Sequence, residues 1–312
     1  MDEMKRFAGV TVLVTGASGF IGSHLCRHLL QEGAQVHAVS RELHSSDDER
    51  LRWWQADLGQ VAAVRELWQA TRPEIVFHLA SHVAGARELS KVLPTFYDNL
   101  ASTVHLLTAA TETGCRRLVV SNSSEEPRRF DPETVPCSPY AAAKWSASAY
   151  GRMFHALFQT PVVMPRIFMT YGPDQKDVQK LVPYVIRSLH RNQTPTLGSG
   201  TRQVDWIFVE DVVEGLLRAA TAPGIEGMAF DLGSGSLLSI RQMVEQIVKV
   251  MESYIQPQFG GLPDRPLEQE RAADTTFLKE RLGWTPQTSL QGGLEATVRW
   301  YCPRDPALVV NP

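Results

Sequence analysis

The chain has 312 residues, 43% of them hydrophobic and 21% charged, which is apolar material for a sizeable core and about two domains. A formal net charge of −3 carries no basic excess and excludes the usual electrostatic footprint of a nucleic-acid binder, and no apolar run reaches membrane-spanning length. Cys26, Cys115, Cys137 and Cys302 are scattered, with neither metal-ligand spacing nor the density of a disulfide scaffold, so they read as reduced thiols of a cytoplasmic protein without a metal site.

The first residues, Met1-Asp2-Glu3-Met4-Lys5-Arg6, begin acidic and lead into a strand, not into a signal sequence. Val10 to Thr15 is an apolar, β-branched run of the kind found in buried parallel strands. Gly16, Gly19 and Gly22 follow at G-x-x-G-x-x-G spacing, and a helical pattern runs from Phe20 to Gln31, ended by Gly33. A glycine triplet between a strand and an amphipathic helix serves a dinucleotide. Gly16 permits the tight turn, Gly19 lets backbone N–H groups approach a pyrophosphate, and Gly22 lets helix and strand pack closely. Ser18, Phe20 and Ile21 belong to the same loop and helix start, whose free N–H donors favour phosphate. The bland alternative is a glycine turn with no ligand.

Gln35 to Ser40 is the second strand. An acidic residue near its end commonly binds the adenosine ribose, but Ser40 and Arg41 stand there. A hydroxyl and a guanidinium suit a 2′-phosphate, which favours NADP over NAD, whereas Glu42 on the ribose is the reading that favours NAD. Leu51 to Leu58 reads as the third strand, with Asp57 and Leu58 at its exit beside the adenine; Asp57 equally suits a helix cap. Asp47, Asp48 and Glu49 form a polar loop, and Trp53 and Trp54 read as core and sheet surface. Ile75 to Ser81 is the fourth strand, where Leu79, Ala80 and Ser81 leave room for a cofactor and His78 reads as a packed core histidine. Asn99 lies in a helical stretch from Leu93 to Gly114 and is placed to orient the site from below. Leu118 to Ser121, Val162 to Phe168 and Met228 to Leu232 are the fifth, sixth and seventh strands.

Ser123-Ser124-Glu125 follows the fifth strand, and Tyr140-x-x-x-Lys144 follows that. Residues four apart share a helical face, so Tyr140 and Lys144 lie side by side. Free tyrosine ionises near pH 10, so about one in a thousand is phenolate at neutral pH. A neighbouring ammonium favours the phenolate, and the result is a general base able to take a hydroxyl proton, with Ser123 in reach of the same oxygen. Lys176, Lys180 and Arg187 open the second half, where they read as helix surface, with a diphosphate as the other possibility.

These motifs together resemble the extended short-chain dehydrogenase/reductases, in their nucleotide-sugar epimerase and dehydratase branch. T-G-A-S-G-F-I-G-S-H-L is similar to the cofactor loop of that family, V-F-H-L-A-S to its nicotinamide-side strand and S-P-Y-A-A-A-K to its catalytic helix. R-I-F-M-T-Y-G-P, D-W-I-F-V-E-D-V-V, D-L-G-S-G and A-A-D-T-T-F-L-K-E-R-L-G-W-T-P resemble later signatures in the same order. The resemblance implies an α/β fold: a Rossmann-type doubly wound parallel sheet over residues 1–171, with the late strand near 228–232 returning to it. A smaller α/β nucleotide-sugar domain is implied over 172–312. It implies NADP or NAD as cofactor, Ser123, Tyr140 and Lys144 as catalytic trio, and a homodimer through a four-helix bundle. His82, Arg202 and Arg265 fall to the substrate.

The chain also departs from the family. Met169 stands where an Asn usually holds substrate phosphates, and Val204 where an Arg usually stands, with Arg202 two positions earlier. Ser123-Ser124-Glu125 resembles the Thr-Asp-Glu or Thr-Ser-Glu of sugar 4,6-dehydratases, which makes Glu125 a second acid/base; the alternative for Glu125 and Glu126 is a solvated loop rim. Epimerisation and dehydration therefore stay level at this point. A 4-keto-sugar reductase and a non-catalytic dinucleotide sensor of the same fold are the further alternatives.

Overall fold

The computed structural model describes residues 5–83, 87–127, 134–264, 267 and 269–302. A parallel sheet is built from β1 (Thr11–Thr15), β2 (Gln35–Ser40), β3 (Leu51–Gln55), β4 (Ile75–His78), β5 (Arg117–Val120), β6 (Asn122–Ser123), β7 (Val162–Ile167) and β10 (Ala229–Leu232). Its order is β10-β7-β5-β4-β1-β2-β3, with β6 pairing on β7, so the chain winds outward from β1 in both directions. Between the strands run α1 (Phe20–Gln31), α2 (Val61–Thr71), α4 (Ser102–Thr113), α5 (Pro139–Phe158) and α7 (Val209–Thr221).

Side chains of β1 alternate between two buried faces, as a strand's period of two requires. Val12 and Val14 meet the layer of α1 and α7, and Leu13 meets that of α2, α4 and α5. Both faces being covered is why these strands read as unbroken apolar runs. A smaller antiparallel and parallel sheet, order β11-β9-β8, combines β8 (Met169–Tyr171), β9 (Gln203–Phe208) and β11 (Leu237–Ser239). It packs with α6 (Leu181–His190), α8 (Ile240–Val250) and α10 (Leu290–Tyr301) around its own apolar cluster. The short α9 (Thr276–Arg281) lies against β10.

Asp205 on β9 stitches the two sheets together. It is 1% exposed, and its carboxylate accepts from the amides of Ser234 (2.7 Å), Gly235 (2.9 Å) and Ala273 (2.8 Å). Three backbone donors on one carboxylate compensate its burial.

Two sequence expectations change. The third and fourth strands stop at Gln55 and His78, leaving Ala56 to Leu58 and Leu79 to Ser81 as exit loops. The helix expected over 93–114 is not uniform: one turn, α3 (Val92–Thr95), runs into a π-helical segment, Phe96–Ala101, before α4. Ser102 and Thr103 donate their hydroxyls to the Asp98 and Asn99 carbonyls, both at 2.6 Å, and that back-bonding competes with the regular ladder. The wide turn aims Asn99 inward, fully buried.

Candidate active site

The carboxyl ends of the central strands open into a cleft of about 1230 Å³ whose far wall comes from the smaller sheet and residues Thr196–Arg202. Open α/β sheets hold ligands in such crevices. Gly16 has φ +68°, and a Cβ there would stand 2.6 Å from the Ala80 amide nitrogen. A Cβ at Gly22 would collide with the Gly16 carbonyl oxygen. With Gly19 as N-cap of α1, the loop is a cradle that no side chain fits, beside the free N–H groups of a helix start. Its shape and donors fit the pyrophosphate of a dinucleotide. Ser18, Phe20 and Ile21 line the same cleft.

At the exit of β2, the Ser40 hydroxyl lies 3.2 Å from that of Ser18 and accepts from the Glu42 amide at 3.1 Å. Arg41, with its side chain 70% exposed, donates to Asp98 at 3.1 Å, so its guanidinium is held at the rim by a carboxylate across the cleft. Arg41, Glu42, Asp57 and Leu58 all line this end, and Asp57 also accepts from the Gly59 amide at 3.0 Å, closing the turn before α2. Leu79, Ala80 and Ser81 form the floor.

Asn99 and His82 stand behind the wall. The Asn99 side chain accepts from the Ser81 hydroxyl (3.1 Å) and the His82 amide (2.6 Å) and donates to the His82 carbonyl (3.2 Å). It is a bracket under the loop after β4. His78 is fully buried between Thr15 (2.8 Å) and Thr103 (3.1 Å), and burial, with the Lys144 charge, pulls its imidazole down to about 3. It is a neutral core histidine at any working pH.

Ser138 caps α5 by accepting from the Ala141 amide at 3.1 Å, and Pro139 takes the first helical position, so the helix starts sharply one residue before Tyr140. Tyr140, Lys144, Ser123 and Glu125 all line the cleft. Ser123 and Ser81 flank the Tyr140 hydroxyl and favour its ionisation. Burial raises its affinity for its proton, Ser123 opposes this, and the Glu125 and Glu126 carboxylates add to the rise. Lys144 is 2% exposed; its Nζ lies 5.9 Å from the centre of the Tyr140 ring and donates to the Ser121 carbonyl at 2.7 Å. Burial lowers the ammonium to about 8, with Glu126 pulling the other way. The half-buried Glu125 donates its amide to Ser123 Oγ (3.1 Å), and the Cys137 thiol reaches its carboxylate at 3.7 Å.

Sequence reasoning overlooked Ser148, and for Glu126, Lys176 and Lys180 it left alternatives that the structure narrows. Glu126 is 3% exposed and no part of a loop rim. Ser148, at the i+8 position of the Tyr140 stripe, supports it; that spacing was the available signal. Lys176 and Lys180 are on the cleft wall, not a helix surface, and Lys176 Nζ donates to the Ser18 carbonyl at 3.0 Å, joining the far wall to the glycine loop. Met169, 38% exposed, and Arg202 line the substrate side, where Val204 is buried in apolar surroundings. Arg265 lies outside the described residues. Among the described residues no cluster of His, Cys, Asp and Glu suited to a metal occurs, and no helix is long and apolar enough to cross a membrane.

Comparison with known proteins gives the same picture from outside. Residues 12–233 match the sequence model of the NAD dependent epimerase/dehydratase family. The UDP-glucose 4-epimerase of Mycolicibacterium smegmatis is 30% identical over 308 residues, covering 93% of this chain and 97% of that protein. The dTDP-glucose 4,6-dehydratase 1 of Escherichia coli is 28% identical over 335 residues, covering 93% and 92%. Among solved structures, UDP-glucuronic acid 4-epimerase from Bacillus cereus, in complex with UDP-glucuronic acid and NAD, superposes with a TM-score of 0.83 at 25% identity, covering 93% of this chain and 98% of that one.

Proposed function

The chain belongs to the NAD-dependent epimerase/dehydratase family, and from that premise we propose that it is a nucleotide-sugar epimerase/dehydratase that works through a transient 4-keto sugar, with Tyr140 as base. The observation that carries this reading is that Tyr140, Lys144 and Ser123 line the same cleft as the glycine cradle, with the Lys144 Nζ 5.9 Å from the centre of the Tyr140 ring. A cleft of about 1230 Å³ has room for a dinucleotide and a nucleotide sugar together. A bound oxidised nicotinamide would supply the hydride acceptor and a positive charge that favours the phenolate. Tyr140 takes the proton of the sugar 4-hydroxyl, Ser123 holds that oxygen, and Lys144 supplies positive charge below the ring. Cofactor falls to the large sheet and substrate to the small one, whose first strand, β8 (Met169–Tyr171), already precedes the expected 171/172 boundary, with Lys176, Lys180 and Arg202 meeting the diphosphate in place of the family Asn and Arg. Incubation with a panel of UDP- and dTDP-sugars, with products identified by NMR, tests the reading; a chain that converts none of them is not such an enzyme.

The end of β2 favours NADP. Ser40 and Arg41 stand there without an acid at the strand end itself, and Arg41 is already poised at the rim. Arg41→Ala should weaken NADP binding by about 1.5–3 kcal/mol, the worth of a hydrogen bond to a charged group, and NAD binding far less. Identical titrations of both cofactors in wild type and variant would assign the ribose to Glu42 and the preference to NAD. The exposed apolar side chains of Leu93, Phe96 and Tyr97, leading into α4, support a homodimer that covers them; sedimentation at the mass of one chain would remove it.

A further inference from the structure

Glu126 follows the residue assigned as second acid/base, yet its side chain turns away from the cleft into the protein. Oε1 accepts from the Ser123 amide at 3.0 Å and Oε2 from the Ser148 hydroxyl at 2.6 Å. The Asn122 side-chain amide donates to Ser148 Oγ, which leaves the proton of that hydroxyl directed at Glu126. Both carboxyl oxygens are therefore acceptors, the arrangement of an ionised carboxylate; burial raises its affinity for a proton, and the Ser148 and Ser123 hydrogen bonds, then the Arg166 and Lys144 charges, oppose that rise. A buried carboxylate of this kind requires a compensating charge. Tyr140, Lys144 and Ser148 recur every four residues on one face of α5, so the residue that holds Glu126 is one turn beyond the buried ammonium. Lys144 donates to a neutral carbonyl, that of Ser121, and Glu126 is the carboxylate that favours its charged form.

Resting on the reading of Tyr140 and Lys144 as the catalytic pair, we propose that Glu126 is a positioning residue for it: clamped by the Ser123 amide and the Ser148 hydroxyl, it is the buried counter-ion that keeps the Lys144 ammonium charged beneath Tyr140 and holds Ser123 in register with both. The charged and titratable groups around it are Lys144 and Tyr140 from α5, Arg166 from β7, and Glu125 from its own loop. Arg166 is itself paired to Asp231 of β10 at 2.8 Å, and neutral His78 of β4 faces Lys144.

Glu126→Gln keeps the size and an acceptor oxygen and removes the charge. Attraction on Lys144 is withdrawn, so its ammonium should lose its proton at lower pH. Repulsion on Tyr140 is withdrawn too, so its phenol should ionise at lower pH. With Tyr140 setting the acid limb of the pH–rate profile and Lys144 the alkaline limb, both limbs should move down together. A merely structural defect would lower the rate and leave the limbs in place.

The direct measurement is the titration of Lys144 in the ligand-free protein, followed by NMR of ¹³C-labelled lysine and assigned by loss of the signal in Lys144→Met. The expected result is a midpoint lower by about one unit in Glu126→Gln, a tenfold loss of proton affinity. Ser148→Ala, which keeps the carboxylate, should shift it much less. An unchanged midpoint in Glu126→Gln, or equal shifts in the two variants, overturns the counter-ion role. If Glu126→Gln is too unstable to titrate, adding Lys144→Met should raise its melting temperature by removing the stranded cation; absence of that rescue also overturns it. None of these readouts needs turnover, so a chain inactive on every nucleotide sugar would defeat the reaction reading alone, whereas an active chain with an unmoved Lys144 would defeat this one alone.

Discussion

Tyr140→Phe should lower turnover by about 10²–10⁴-fold, the range expected for loss of a general base, while the melting temperature and dinucleotide affinity stay close to wild type. The ring remains packed at the start of α5, whose cap at Ser138 and Pro139 does not depend on the hydroxyl. What disappears is the hydroxyl that Ser123 and Ser81 flank at the cleft wall. In the free protein, burial and two carboxylates favour the phenol over the phenolate. On the proposed reading ionisation would need the positive charge that a bound cofactor would supply, and activity should rise with pH on the acid limb. The check is steady-state kinetics with product NMR beside dinucleotide titration of both proteins. Activity within a few-fold of wild type would move the base to another residue.

Glu125→Gln should separate dehydration from epimerisation. On the proposed reading both routes begin with removal of the 4-hydroxyl proton by Tyr140. Epimerisation then needs space for the ketone to turn, and no second base. Dehydration must also remove the C5 proton, acidified by the adjacent ketone, and deliver a proton to the departing 6-hydroxyl. Glu125 lines the cleft two residues after Ser123, its carboxylate beside the Cys137 thiol. If it is that acid/base, the Gln variant should lose solvent deuterium incorporation at C5 by about 10²-fold or more, yet still form the 4-keto sugar. A wild type that takes up no deuterium at C5, with a fully active Gln variant, would leave C4 epimerisation or ketone reduction as the reaction.

Much of this protein was legible before any tertiary structure, because the constraints concerned are local. The glycine cradle is steric: Gly16 must have positive φ and Gly22 must let backbone pass backbone, and both demands are written in residue type. The apolar runs of β1 and β4 announce strands buried on both faces, and Tyr140 and Lys144 share a face because a helix repeats every 3.6 residues. The end of β2 at Ser40 is equally local. Tertiary structure decided whatever depends on partners distant in sequence. Glu125 and Glu126 are adjacent acids that propensity treats alike, but one faces the cleft, and the other is buried because Ser148, 22 residues on, donates to it. Lys176 became part of the cleft by reaching a carbonyl 158 residues away. Asn99 turned inward only because a π turn interrupted a helix that its sequence pattern would have continued. A residue's spacing states which face it is on; what that face meets, and hence whether a charge is solvated or paired, is set by packing between segments that no short window contains.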